Sequence, residues 1–327
     1  MGYLRHLIRD KTGLFNRALP LLNQYISNFE SKYQFDQNKN ENKIIVVGDV
    51  HGSFLQFLLP LIIAKYIKNV EICENEIKFD YIDDSNPQNE KIIYLGDIFG
   101  RAYHDKYYLI TDMLIKLIIK YPNNIIWCYG NHDIDEYIDL QDEEELTESE
   151  QNFYNFTLTN LRTIYYDSIH NLLFSHTLIS DKCFTSIYTG DIEDLLLFSS
   201  SERIDLSGVE HSENLSNKID EFNNNVRFLI NQKAISGRIA CKCFENRYEE
   251  FSDISKTYLN SIIRIIGHDI VNSSEFLDCI DENIIFADYG AMYHKNSFNS
   301  YYLEIPQFIS IFESKFEILK FDELKLK

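Results

Sequence analysis

Three observations predict an α/β fold with a mostly parallel sheet and a chemical site along one sheet edge. Short apolar runs rich in β-branched residues recur at 43–48, 91–95 and 124–129. Each runs into a glycine followed by a residue able to bind metal: Gly48-Asp49-Val50-His51-Gly52, Gly96-Asp97-Ile98-Phe99-Gly100-Arg101 and Gly130-Asn131-His132-Asp133. Stretches with helical apolar spacing separate the runs, so the strands would run the same way and deliver their ends to one side.

Taken in order, residues 1–42 read as an N-terminal helical extension. Leu4, Leu7, Ile8, Leu14, Phe15, Leu19 and Leu22 recur at helical spacing, and a polar linker fills 35–42. The main domain spans 43–327. After the first strand, a helix is expected from Ser53 to about Lys68, with Pro60 as a kink. Residues 69–90 alternate poorly and read as a hairpin or loop excursion. The second strand leads to a helix over 105–120 through Leu109, Met113, Leu114, Leu117 and Ile118. The acidic run Asp142–Glu150 reads as a solvated helix start. Short strands follow at 162–166 and 171–175, the latter ending at His176, and an insertion covers about 180–260. Strand character returns at Ile262–Ile266, which ends in Gly267-His268, and again at 284–287, 300–305 and 309–314.

Composition narrows the function classes. The 327 residues allow one large α/β domain or two small ones, and 45% apolar content supports a full core. The formal charge, 31 − 51 = −20, opposes nonspecific binding to nucleic acid or to anionic membranes. Six cysteines lack structural-zinc spacing, and Cys241-Lys242-Cys243 reads as two incidental thiols. No apolar run reaches the ~18 residues of a membrane span. His6 breaks the myristoylation pattern, and Arg5, Arg9, Asp10 and Lys11 interrupt any signal sequence. A cytoplasmic protein with reduced thiols is expected.

Asp49, His51, Asp97, Asn131, His176 and His268 therefore stand on loops after apolar runs. Carboxylate, amide and imidazole donors in this mix suit two divalent ions with a water between them. The motif series resembles the calcineurin-like metallophosphoesterases. Within them it is similar to the branch of phosphoprotein phosphatases and symmetrical dinucleoside tetraphosphatases, because Gly52 follows the first histidine. Residues 284–293, Ile-Ile-Phe-Ala-Asp-Tyr-Gly-Ala-Met-Tyr, resemble the Asp-Thr-Gly-Ala-Val-Tyr segment of bacterial members.

The resemblance implies a two-sheet β-sandwich flanked by helices. It implies that Asp49 and His51 bind one metal, that Asp97 bridges both, and that Asn131, His176 and His268 complete the second. His132 would be the general acid. Arg101 would clamp the phosphoryl oxygens as a planar fork, with Arg238 as a second phosphate-binding arginine and Arg247 and Arg264 as poorer candidates. A hydroxide bridging the two metals (Mn, Fe or Zn) would attack phosphorus in line. The expected activity is phosphomonoester hydrolysis of the Ser/Thr protein phosphatase type, on a phosphoprotein or a small phosphoester. The alternatives are hydrolysis of dinucleoside polyphosphates or other small phosphoesters, and a catalytically weak metal-binding regulator.

Two departures mark a divergent member. Phosphatases of this branch carry Asp-Arg where this chain has Gly100-Arg101, so the carboxylate that orients the general-acid histidine is missing, unless Asp105 replaces it. Asp133 stands where eukaryotic phosphatases have Glu.

Overall fold

The computed structural model describes residues 12–32, 43–82, 90–98, 106–133, 162–177, 262–268, 284–288, 292–294, 302–304, 306–312, 315–321 and 324–326. In chain order the elements are α1 (Thr12–Lys32), β1 (Ile44–Val47), α2 (Phe54–Ile63), β2 (Ile67–Ile72), β3 (Ile77–Tyr81), β4 (Lys91–Tyr94), α3 (Tyr107–Lys120) and β5 (Ile125–Trp127). There follow β6 (Ile164–Asp167), β7 (Leu172–Ser175), β8 (Ile263–Ile266), β9 (Ile284–Phe286), β10 (Met292–His294), β11 (Tyr302–Glu304), β12 (Gln307–Phe312), β13 (Lys315–Lys320) and β14 (Leu324–Leu326). The chain divides into two compact units, Met1–Ile126 with Tyr289–Lys327, and Trp127–Asp288. Among the described residues no helix is long and apolar enough to cross a membrane.

The first unit is built on a five-stranded sheet of order β13-β12-β1-β4-β5. β1 pairs parallel with β4, Ile44 opposite Lys91 and Val47 opposite Tyr94. On its other side β1 pairs antiparallel with β12. All four β1 residues are buried, as a strand covered on both faces requires. The antiparallel β12–β13 pair is a departure from the parallel pattern expected of the strand–helix repeats, and its chain segment folds back after the last site motif.

α2 is shorter than the sequence predicts. Ser53 caps it, accepting from Gln56 N–H at 3.1 Å. The helix ends at Ile63, and Lys65 takes a left-handed backbone (φ 57°) before the chain re-enters as β2. The helix expected to run to about Lys68 stops short of it, and Ile67 and Val70 face inward from β2. Residues 69–90 do contain the predicted hairpin, as β2 pairs with β3.

Two side chains tie non-neighbouring backbone together in this unit. Gln56 is buried; its Nε2–H donates to Gln307 O and its Oε1 accepts from Gln307 N–H, both at 3.0 Å. The amide thereby imitates a neighbouring strand and fastens α2 to the start of β12. α1 does the same for the edge of β2. It buries Phe15, Ala18, Leu22, Ile26 and Phe29 at helical spacing. From the same helix, Asn23 donates to Ile72 O and accepts from Ile72 N–H, both at 2.8 Å. Two turns on, Glu30 accepts from Val70 N–H at 3.3 Å. Burial lifts the Glu30 carboxyl above its ordinary range, and the Val70 and Asn69 N–H groups oppose that lift.

The second unit holds the four-stranded sheet β6-β7-β8-β9. β6 and β7 form a hairpin, closed by Asp167 Oδ1 accepting from Ile169 and His170 N–H at 3.1 Å each. β7, β8 and β9 run parallel, with Ser175 opposite Ile266 and Ile266 opposite Phe286. Smaller sheets, β10-β11-β14 and β2-β3, complete the strand inventory of the described residues. Its mixed α/β character is the one the sequence predicts.

Gln56→Leu keeps the side-chain volume but leaves both backbone groups of Gln307 unanswered. Losing a partner at a buried polar group costs about 1–3 kcal/mol; because Gln307 is half-buried, urea unfolding should show a loss of about 2 kcal/mol in total with an unchanged m-value. An unchanged midpoint would refute the clamp.

Candidate metal centres

In the first unit the donor cluster grows from the ends of β1 and β4. The chain beyond β1 turns sharply: His51 has φ 47° and Gly52 φ 76°. Beyond β4, Gly96 (φ 114°) and Asp97 (φ 49°) do the same. A non-glycine residue with positive φ stores strain that its surroundings must hold. Here the carbonyl of Asp97 accepts from His51 N–H at 2.7 Å and from Val50 N–H at 3.2 Å, and Ile98 O accepts from Gly52 N–H at 2.9 Å. Three hydrogen bonds staple one loop to the other and aim their side chains at one place. His51 Nε2 lies 3.6 Å from Asp49 Oδ2 and 3.6 Å from Asp97 Oδ2. Asp49 and Asp97 are each 1% exposed. Two carboxylates at that depth, with an imidazole between them, form a group that could hold a cation.

In the second unit Asn131 follows β5, His176 follows β7 and His268 follows β8. His176 Nε2 lies 3.0 Å from Asn131 Oδ1 and 3.2 Å from His268 Nδ1. Asn131 and His176 are fully buried, and His268 is half-buried at φ 66°. The anchors are local. Ser175 Oγ–H donates to Thr177 O at 2.7 Å, bridging over His176. Gly267 N–H donates to His176 O at 3.0 Å, linking the two histidine-bearing loops.

Donor atoms about 2.1 Å from one ion stand about 3.0 Å apart at octahedral corners and about 3.4 Å apart at tetrahedral ones. The four separations given above run from 3.0 to 3.6 Å, at or slightly beyond those spacings. Asp49, His51 and Asp97 form a buried group whose donor atoms lie within 4.8 Å of one another. Oxygen and imidazole donors of this kind suit Mn, Fe or Zn.

Sequence reasoning named all six of these residues, and the structure brings them together as two trios. His132 is half-buried beside Asn131 at the start of a helical turn. Arg101, Arg238, Gly100, Asp105 and Arg247 lie outside the described residues, as does the insertion at 180–260. Arg264 sits within β8 as expected.

The role of Asp133 was not legible. Its Oδ2 accepts from Gly130 N–H at 2.8 Å and from Trp127 Nε1–H at 3.3 Å, so it closes the turn that presents Asn131 and His132. The signal was present: an aspartate three residues after a strand-end glycine is a side-chain-to-backbone turn. Beside this turn, burial pushes the Cys128 thiol up to about 12, with Arg162 opposing and Asp133 adding to the shift. A thiol so held is a packing group, not a thiolate ligand.

Residues 42–239 match the family model described as calcineurin-like phosphoesterase. Among curated proteins, none matches the chain. Similar solved structures include a cold-active protein tyrosine phosphatase, at 16% identity over 85% of this chain and 78% of that one, with a TM-score of 0.43. Another is a protein serine/threonine phosphatase from Saccharomyces cerevisiae, at 13% identity over 98% of this chain and 96% of that one, with a TM-score of 0.41. At such identities and scores these likenesses carry no argument about activity.

Asp97→Asn removes one buried charge while keeping the shape. Without metal the variant should be as stable as the parent or gain about 1 kcal/mol, because burying two carboxylates side by side is costly. With Mn²⁺ the parent's melting temperature should rise and the variant's should rise much less. Calorimetry with chelator and with Mn²⁺ measures both, and equal increments would reject the cluster as a metal site.

Proposed function

The chain belongs to the calcineurin-like phosphoesterase family, and on that premise we propose that it is a metal-dependent phosphatase acting on phosphomonoesters, phosphoserine and phosphothreonine side chains among them. The observation that carries the reading is the convergence of the buried Asp49 and Asp97 carboxylates on the His51 imidazole, a donor group that could hold a divalent cation. The family resemblance supplies the rest of the assignment. By that resemblance Asp49, His51 and Asp97 would hold one ion, and Asn131, His176 and His268 would contribute to a second.

Two bound ions would supply an activated water and neutralise charge on the phosphoryl group. The chain's own residues do the remaining work. His132, next in sequence to a ligand, donates the proton to the departing oxygen. The Asp133 turn fixes where that imidazole begins. Arg101 and Arg238 hold the equatorial phosphoryl oxygens, where a guanidinium fork matches the geometry. The strongly acidic chain favours a basic or neutral phosphorylated partner over an acidic one.

With Mn²⁺ supplied, the protein should hydrolyse p-nitrophenyl phosphate and a phosphoserine peptide, and bis(p-nitrophenyl) phosphate at least about tenfold more slowly, a difference of about 1.4 kcal/mol in barrier. The reverse preference would move the activity to diesters or dinucleoside polyphosphates. Bound metal with no turnover on either would leave a regulator.

His132→Asn should leave metal uptake intact and lower turnover by about 10²–10⁴-fold on alkyl phosphates, where the leaving oxygen needs a proton. The loss should be smaller on p-nitrophenyl phosphate, and equal losses on both would remove His132 as the acid.

A further inference from the structure

The parallel strands β7, β8 and β9 end side by side, and their ladder continues one step beyond them. Gly267 N–H donates to His176 O at 3.0 Å and Ala287 N–H to Ile266 O at 2.8 Å. Two positions past the paired row of Ser175, Ile266 and Phe286 stand Thr177, His268 and Asp288. Asp288 therefore follows directly on the strand that neighbours β8, beside the point where His268 turns out of the ladder at φ 66°.

Asp288 is 2% exposed. A carboxylate at that depth persists only where N–H groups, O–H groups or a cation answer it. It belongs to neither of the two groups of His, Cys, Asp and Glu whose donor atoms converge within 4.8 Å among the described residues. His268 turns Nδ1 toward His176 Nε2 at 3.2 Å, which directs its own Nε2 to the opposite side of the ring. The histidine also rests on strained backbone, so its ring direction needs a restraint beyond the main chain.

We propose that Asp288 is the positioning residue of His268. Its carboxylate accepts the Nε2–H, fixes the tautomer that leaves the Nδ1 lone pair toward the donor cluster, and strengthens that nitrogen as a ligand. The inference rests on the metal-dependent reading above. It gives a role to the Asp-Tyr-Gly segment, which the proposed chemistry otherwise leaves unused.

The test uses the full chain and Asp288→Asn, with Asp288→Ala beside it. Mn²⁺ binding is followed by calorimetric titration, Co²⁺ loading by its visible absorption, and the metal-free form by thermal melting. In Asp288→Asn, metal-free melting should stay close to the parent's. One Mn²⁺-binding step should weaken by about 10–100-fold, the usual cost of losing a carboxylate behind a ligating histidine. The Co²⁺ bands should shift. Metal uptake and Co²⁺ bands identical to the parent's in Asp288→Asn overturn the assignment, and so does a lowered melting temperature with unchanged affinity. Should Asp288→Ala fail to fold, Asp288→Asn decides alone. A parent chain that takes up neither Mn²⁺ nor Co²⁺ overturns the phosphatase reading together with this one; normal parental uptake with unchanged variants overturns only the role of Asp288.

Discussion

The carbonyl oxygen of Asp97 is the constraint on which the first donor cluster depends. It accepts two N–H groups from the loop that carries His51. Both residues sit in the left-handed region, where neither would rest unaided. The staple turns two separate strand ends into one rigid object, and the parallel pairing of β1 with β4 sets the spacing that makes it reachable. The backbone thus holds the geometry in which the three side chains converge. That is the arrangement expected of a preorganised ligand set.

The two clusters differ in kind. One presents two carboxylates and one imidazole, the other one amide and two imidazoles. The first carries formal negative charge into a buried space and the second carries none of its own. Harder cations should therefore prefer the first and borderline ones tolerate the second, because charge and donor softness sort divalent ions. The supports differ as well. The carboxylate-rich trio is stapled by main-chain hydrogen bonds, whereas the imidazole-rich one relies on short local devices at Ser175, Gly267 and Asp133.

What could be read from the sequence followed from period and punctuation. Apolar runs closed by glycine mark β1, β4, β5 and the approach to His268, and a strand end without glycine marks His176. All six candidate donors stand out in the sequence because each is a metal-capable residue at a strand end, where α/β folds place their chemistry. The misses have physical causes. Ile67 and Val70 continue a helical spacing by coincidence, so the turn at Lys65 was hidden. The pairing of β12 with β1 joins residues far apart in the chain, and no local pattern announces a partner at that distance. Gln56, Asn23 and Asp133 act through backbone groups, and nothing in an isolated polar residue tells which main chain it will answer. Asp288 was quoted as part of a segment, but its burial is a tertiary fact.

The hydrogen bonds from α1 to β2 separate two boundaries that are easily confused. The family match begins at residue 42, downstream of α1. Yet Asn23 and Glu30 occupy the outward backbone groups of Ile72 and Val70, which a free strand edge would offer to any extended chain. An expression fragment begun at residue 42 and kept to Lys327 would hold every residue of the donor trios and lose the cover of that edge. Its solubility would then report on the missing helix instead of the catalytic fold. The smallest piece that behaves as this protein begins before the piece that resembles its relatives.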